Sequence, residues 1–413
     1  MNSNKEYSVL QPKYYREFQC DPTRCLETCC ERWKITIDKS TYQKYIKSDN
    51  AIIKDIVASG LSKNQDSKSD DDFGIINLDK DMECPFLNKD GFCEVIINMG
   101  ESCLSKTCKN YPRATFMIND VIERGLQMSC SIAAELALLN ENGMEFERTK
   151  ATINPNDIFI NSMNIDESDC IKIYIEIRAL IIEILQNRKI GLNERIVTVG
   201  NFLNQIVVHK KFPDFNYEEI LSLVDETRKS LSDNNFISRL KSDPIQYKDQ
   251  FNILNSILAM KFSEGNGIAT ASKRYIECLW PVLDAFDNIK DSTIATFYKG
   301  NFEKYLKPYL NEKEFILENF LVNYVFIYRD ELFQIDKLWH FYIKLCVVYG
   351  LIKFNLIGLA TYYKGMDDEL VLKLIQSLTK TIIPDDNYLN SVVNYLEEIK
   401  VTELSKLHTL IMS

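Results

Sequence analysis

The sequence predicts an α+β chain that is predominantly α. A small, Cys-rich, mixed N-terminal metal-binding domain is expected over residues 1–156, and a larger all-helical domain over residues 157–413. Three observations predict this. Nine of the twelve cysteines fall within the first 130 of 413 residues. Short alternating apolar runs broken by Gly, Pro and Asp fill the same region. Beyond about residue 160, apolar residues recur at helical spacing and Gly and Pro become sparse.

In the first part, "WKITI" (Trp33–Ile37) alternates like a strand, and Asp38 is placed to cap a helix through "STYQKYIK". "SKNQDSKSDDD" (Ser62–Asp72) reads as a polar, mobile surface loop, and "FGIINL" (Phe73–Leu78) as a second strand. "TFMINDVIERGLQMS" (Thr115–Ser129) gives two strands around Asn119–Asp120. "SIAAELALLNENG" (Ser131–Gly143) gives a helix stopped by Gly143. In the second part, "DESDCIKIYIEIRALIIEILQNR" opens on a capping Asp and keeps a helical period. Comparable windows lie near Arg195–Lys210, Tyr217–Ser232, Pro244–Lys261, Ser272–Asp287, Glu312–Arg329, Glu331–Tyr349, Asp367–Thr381 and Asn387–Glu398. No fixed-period repeat is present, so a solenoid is not expected.

The formal net charge of −10 argues against phosphate-backbone binding as the main activity and suits a basic partner. The N-terminus has no apolar signal region. The stretch Leu345–Leu359 is interrupted by Lys353, so no window reaches the ~18 uncharged apolar residues of a membrane span. A cytoplasmic location is expected, where a disulfide framework does not persist. Cys170, Cys278 and Cys346, alone in helical windows, read as core thiols.

The N-terminal thiols resist that reading. "CDPTRCLETCC" places Cys20, Cys25, Cys29 and Cys30 within eleven residues, "CPFLNKDGFC" holds Cys84 and Cys93 across an Asp90–Gly91 turn, and "CLSKTC" holds Cys103 and Cys108. Short loops between thiols limit the ordering cost that metal binding must offset. The three histidines, His209, His340 and His408, lie far outside the group, which leaves sulfur-only ligation. The spacing fits neither paired CxxC zinc knuckles nor CxxxCxxC, because Arg32 stands at the third position of the latter. Structural zinc and an iron–sulfur cluster therefore both remain open.

These residues also resemble a known family. The order "QPKYYREFQC-x4-C-x3-CC-x2-W-x-I-T-I-D-K-x-T-Y", then "CPFLNKDGFC", "MGESCLSKTCKNYPR" and "LQMSCSIAAELALL", is similar to the opening of flagellin lysine N-methylases over Gln11–Leu139. The isolated CxxxCC piece is shared with a broader group of zinc- or iron-chelating domains. The resemblance implies an enzyme that moves a methyl group from S-adenosylmethionine to lysine side chains of flagellin. It also implies an iron–sulfur cluster, of the 4Fe–4S type, drawn from Cys20, Cys25, Cys29, Cys30, Cys84, Cys93, Cys108 and Cys130. Cys103 is not expected among the ligands.

The sequence has no Gly-rich turn after a strand to receive the methyl donor in the Rossmann manner, and "SEGNG" (Ser263–Gly267) reads as a helix-ending turn. Lysine must be neutral to accept a methyl group, and its free pKa is about 10.4. Tyr111 and Arg113, beside Cys108, are the catalytic candidates. Arg113 is also placed to pair with the donor's carboxylate or to make a structural ion pair. Trp33 is expected to cover the metal or to meet the sulfonium by cation–π contact. Asp38, Glu123 and Arg124 are weaker candidates. The rival readings are a zinc-stapled, non-catalytic protein-interaction module and a redox sensor built on the vicinal Cys29–Cys30 pair.

Overall fold

The computed structural model describes residues 5–153, 161–163, 168–209, 217–231, 233, 246–263 and 267–411. The chain forms two compact units. The first holds Met1–Ala133, Glu145–Asn164 and Ala269–Ala271, and the second Ala134–Met144, Ile165–Ile268 and Ser272–Ser413.

The first unit is built on two sheets. Strands β1 (Lys5–Pro12), β5 (Arg113–Ile118), β6 (Val121–Leu126), β7 (Phe146–Ile153) and β8 (Asn161–Met163) form one sheet in the order β7-β1-β6-β5-β8. β5 and β6 are the expected hairpin, turning at Asn119 with φ 53°. β1 was not legible as a strand. It lies between antiparallel β7 and parallel β6, and Tyr7, Val9, Ile122 and Ile153 form the buried cluster there. A parallel pair needs a long crossover, and most of the Cys-rich sequence is that crossover, leaving at Pro12 and returning at Arg113.

Inside the crossover, β2 (Thr36–Ile37), β3 (Leu61–Lys63) and β4 (Gly74–Ile76) make a second sheet in the order β2-β4-β3. Helix α1 (Lys39–Ile46) starts as expected at Asp38, whose carboxylate accepts from Thr41 N at 2.9 Å. Asn50 caps α2 (Ala51–Gly60) in the same way. Helices α3 (Glu94–Met99) and α4 (Lys106–Asn110) follow. The core here is Ile35, Ile37, Tyr45, Ile53, Val57, Leu61, Ile76, Cys84, Phe86 and Val95. Two expectations are corrected. The polar stretch 62–72 supplies part of β3, and Ser69 makes a capping box with Asp72. Helix α5 (Ser131–Leu138) stops well before Gly143, because Asn140 turns the chain by accepting from Asn142 N and donating to Gly143 O.

The second unit is helical. It contains α6 (Ser168–Leu185), α7 (Leu192–His209), α8 (Tyr217–Ser230) and the helices Tyr247–Ser263, Lys273–Phe286, Phe315–Ile327, Asp368–Ile382 and Asp386–Glu398. The window expected at Glu331–Tyr349 is instead one 26-residue helix, Leu338–Tyr363. The segment Ile335–Tyr363 is long and apolar enough to cross a membrane, with a mean hydropathy of 1.7, yet its apolar window is wholly buried among the other helices. Short elements at Ile294–Asn301 and Lys307–Lys313 were not foreseen. Cys278 and Cys346 are buried, as core thiols should be. The Cys170 side chain and most of the Ser263–Gly267 turn lie outside the described residues.

Candidate metal centre

All nine N-terminal thiols belong to the first unit. A two-residue ladder sets the first of them. Arg32 N donates to Met82 O and Cys84 N to Cys30 O, both at 2.8 Å, around the Glu31–Glu83 bridge. This places Cys30 directly opposite Cys84. Arg32 and Met82 both adopt left-handed backbone, with φ 62° and 63°. The next loop is a knuckle. Leu87 N returns to Cys84 O at 3.0 Å, and Leu87 pairs with Cys93. Asn88 Oδ1 accepts from Asp90 N and Phe92 N, and Gly91 supplies the φ of 80° that the turn requires. Cys108 lies in α4, where Ser105 Oγ accepts from its N–H at 3.1 Å. Cys30, Cys93, Cys103 and Cys108 pack on the rim of the core that contains Cys84.

A second route brings in the rest. Leu26 N donates to Ser131 Oγ at 3.4 Å, tying the Cys25 loop to the residue after Cys130. Trp33 Nε1 donates to Cys29 O at 2.6 Å, and its ring stands 6.1 Å from that of Tyr111. Tyr111 in turn donates to Ser129 Oγ at 2.9 Å. Cys29 and Cys30 bring their sulfurs to 3.9 Å. Cys20 and Cys25 are exposed, and Cys29, Cys30 and Cys130 partly buried.

Burial and mutual crowding act on the thiols in the same direction. Cys25 keeps a solvent-facing side, yet the protein packed on its other side pushes it up to about 12, and neighbouring Cys130, Cys20 and Cys29 add to it. Burial likewise pushes Cys108 up to about 12 against the Ser105 bond, with Cys29 and Cys93 adding. Cys20, also open to solvent on one side, is raised first by partial desolvation and then by Cys29, while Arg113 opposes. For Cys30 the Cys29 contact lowers the value, but the hydrogen bond with Cys84 and burial leave it well above the ordinary range. Burial also raises Cys93 and Cys130, though each accepts backbone N–H groups at the start of a helix, from Ile96 and Val95 and from Ala133 and Ile132. Such a set holds protons without a cation and gives them up to one. Among the described residues, no three His, Cys, Asp or Glu side chains stand close enough, as placed, to hold one ion. Thiols are soft-metal donors by their chemistry, but as placed they do not surround one ion.

The other candidates fall as follows. Trp33 is 37% exposed beside Cys29, with its indole N–H already engaged. Burial holds the Tyr111 phenol well above its ordinary range, so it is a neutral donor rather than a base at physiological pH. Arg113 donates to Lys109 O at 3.1 Å and lies over the Phe18 ring at 4.9 Å. Asp38 is occupied by its cap and by Lys106 N at 3.1 Å. Cys103 has Lys44 Nζ at 4.0 Å from its sulfur. Spacing did not reveal Tyr15, whose ring lies under Arg124 at 5.8 Å; burial raises its phenol against the opposing pull of Arg124 and Arg113.

A thiol-rich α+β unit and a helical unit in one chain do not by themselves define an activity. Comparison gives the family. Residues 178–410, more than half of the chain, match the FliB lysine N-methylase C-terminal domain, and the chain belongs to that family. It is 30% identical over 148 residues to the flagellar biosynthetic protein FliU of Salmonella muenchen, covering 36% of this chain and 86% of that protein. It is 32% identical over 127 residues to the lysine-N-methylases of Salmonella typhimurium and Salmonella choleraesuis, covering 30% of this chain. The match spans 31%, under a third, of the length of each of those methylases. No solved structure matches.

Proposed function

We propose that this protein is a lysine N-methyltransferase that takes its methyl group from S-adenosylmethionine, acts on flagellin, and holds an iron–sulfur cluster of the 4Fe–4S type on thiols of its first unit. The observation that carries this reading is the match of residues 178–410 to the FliB lysine N-methylase C-terminal domain. The gathering of the N-terminal thiols in one unit supports the cluster. Such a cluster, held on thiols drawn from Cys20, Cys25, Cys29, Cys30, Cys84, Cys93, Cys108 and Cys130, would supply Lewis-acid chemistry toward the polar groups of the donor.

The chain's own residues supply the rest. Arg113 and Arg124 both act on the Tyr15 phenol, and Arg113 also acts on Cys20, so two cations lie on one side of the thiols, a charge arrangement suited to a carboxylate. Trp33 and Tyr111 present aromatic surface next to Cys29, which favours a neutral over a protonated amine by desolvation. The neutral ε-nitrogen then attacks the methyl carbon. A C–N bond forms, the C–S bond breaks with its electron pair kept by sulfur, and the nitrogen loses a proton to solvent.

The test is anaerobic reconstitution followed by incubation with methyl-labelled S-adenosylmethionine and flagellin. Label in flagellin lysines, together with iron–sulfide charge-transfer absorbance, is expected. Stoichiometric zinc with neither label nor absorbance would replace this reading with the zinc-stapled interaction module.

A further inference from the structure

We propose that the second unit carries a docking surface for a lysine-bearing segment of the acceptor protein, made by Trp280, Leu283, Tyr362 and Tyr363 and by the cavity beside them. The inference rests on the functional reading above and adds to it the place where the acceptor is held.

Seven large apolar side chains of the second unit are exposed among the described residues, and these four are the only group of them that falls on neighbouring helices. Two packing contacts bring them to one face. A Cβ on Gly358 would meet Val282 Cγ1 at 2.7 Å, so the helices Lys273–Phe286 and Leu338–Tyr363 meet there. Leu283 follows Val282, and Tyr362 lies one turn beyond Gly358 on the same side of its helix. Lys373, in the helix Asp368–Ile382, pairs with Glu277 at 2.5 Å, one turn before Trp280. Lys373 also lines a cavity of about 440 Å³ with Tyr363, Met366, Asp367, Glu369 and Leu370. Trp280 is 59% and Tyr363 53% exposed, and the rings of Tyr362 and Tyr363 meet edge-on at 4.9 Å. Aromatic side chains grouped in water mark an interaction surface, and tryptophan and tyrosine are the residues that anchor one.

Charge selects the partner. Glu369 and Asp284 are exposed and have no side-chain hydrogen bond or ion pair among the described residues. Asp367, capping its helix through Leu370 N at 2.8 Å, adds a third carboxylate. The cation in the cavity wall, Lys373, is already matched by Glu277, and Lys364 lies over the Tyr305 ring. The start of the helix Asp368–Ile382, which would otherwise draw an anion, is occupied by its own acids. Aromatic faces beside unmatched carboxylates suit a lysine, whose methylene stem lies along a ring while its ammonium reaches the acids. The same charges disfavour a phosphate-bearing partner.

The experiment measures binding of unmethylated flagellin to the full chain without S-adenosylmethionine, and label transfer with it in parallel. Trp280→Ala, Tyr363→Ala, Asp284→Lys and Glu369→Lys are each expected to weaken binding by about tenfold and to raise KM for flagellin, with kcat kept. The two charge reversals sit at exposed positions and keep the test open if an aromatic substitution disturbs the helices. Wild-type binding should weaken as salt rises, and binding by the charge-reversed variants should respond less. Flagellin should also shield a tryptophan from acrylamide, an effect lost in Trp280→Phe. Failure of wild type to bind flagellin, or unchanged affinity in all four variants, would overturn the docking surface, while label transfer would then leave the methyltransferase reading standing. Binding weakened by the substitutions in a protein that transfers no label would keep the surface and sink the methyltransferase.

Discussion

Lys353 offers the sharpest test of the packing physics in the second unit. It lies in the middle of the Leu338–Tyr363 helix and is only 3% exposed. Its ammonium donates to Asn193 Oδ1 at 3.2 Å and Ile411 O at 3.3 Å, between the rings of Tyr349 and Phe302. Burial lowers its pKa from 10.5 to about 7, although Glu314 and Glu194 oppose the change. The folded value lies below the unfolded one, so between these values the unfolded chain binds more protons and stability rises with pH. At about 1.36 kcal/mol per pH unit, the full gap amounts to on the order of 5 kcal/mol of destabilisation at and below pH 7. Lys353→Met removes that cost and loses two hydrogen bonds worth roughly 1 kcal/mol each. Asn193 keeps its bond from Tyr349 at 2.8 Å. The variant should therefore be about 3 kcal/mol more stable than wild type near pH 7, an advantage that shrinks towards zero near pH 9. Thiols such as Cys346, which burial pushes up to about 12, weaken folding at high pH in both proteins and cancel in the difference. Urea unfolding of the two proteins, followed by far-ultraviolet circular dichroism from about pH 6 to about pH 9, measures it. A difference that does not move with pH, or a variant less stable at pH 7, would refute the reasoning.

Two further outcomes follow from named contacts. Glu318, 1% exposed, accepts from Arg188 Nε and Nη2 at 2.9 Å and from buried Arg195 Nη1 at 2.7 Å. Glu318→Gln leaves Arg195 with too little counter-charge and should cost about 3–5 kcal/mol, read as a drop in the urea midpoint of the helical unit. Ser105→Ala removes the cap of α4 and should cost about 1 kcal/mol, read as faster amide hydrogen exchange at Cys108 and its helical neighbours with little change elsewhere.

Helices were legible where a 3.6-residue period came with an Asp cap, as at Asp38 and Asp367, whereas α2, capped by Asn50, was not read. The strands β1 and β7 were not. Their pairing is set by partners more than a hundred residues away, and "FERTKATI" at the sheet edge carries mostly charged and small residues. The expected window ended at Tyr349, one residue before Gly350 and well inside the helix Leu338–Tyr363. Gly350 has a different reason to be glycine, since a Cβ there would meet Leu410 O at 2.7 Å and Leu254 Cδ2 at 3.0 Å. It is a packing contact inside the helix, and local pattern cannot tell that from a stop.

Loop spacing shows which thiols are near in sequence, but not which face one another: Cys30 stands opposite Cys84 across a bridge between distant segments, and Leu26 is tied to Ser131, next to Cys130. The first pairing depends on Arg32 and Met82 holding left-handed backbone at the two ends of a short ladder. Neither is Gly or Asn, so no turn signature marks them. Holding such residues there costs on the order of 1 kcal/mol or more each, and only surrounding interactions can maintain them. A cation bridging Cys30 and Cys84 would be one such interaction. Metal binding and this local backbone should therefore depend on each other, and loss of the ion should loosen residues 30–32 and 82–84 before it affects the hairpin of β5 and β6.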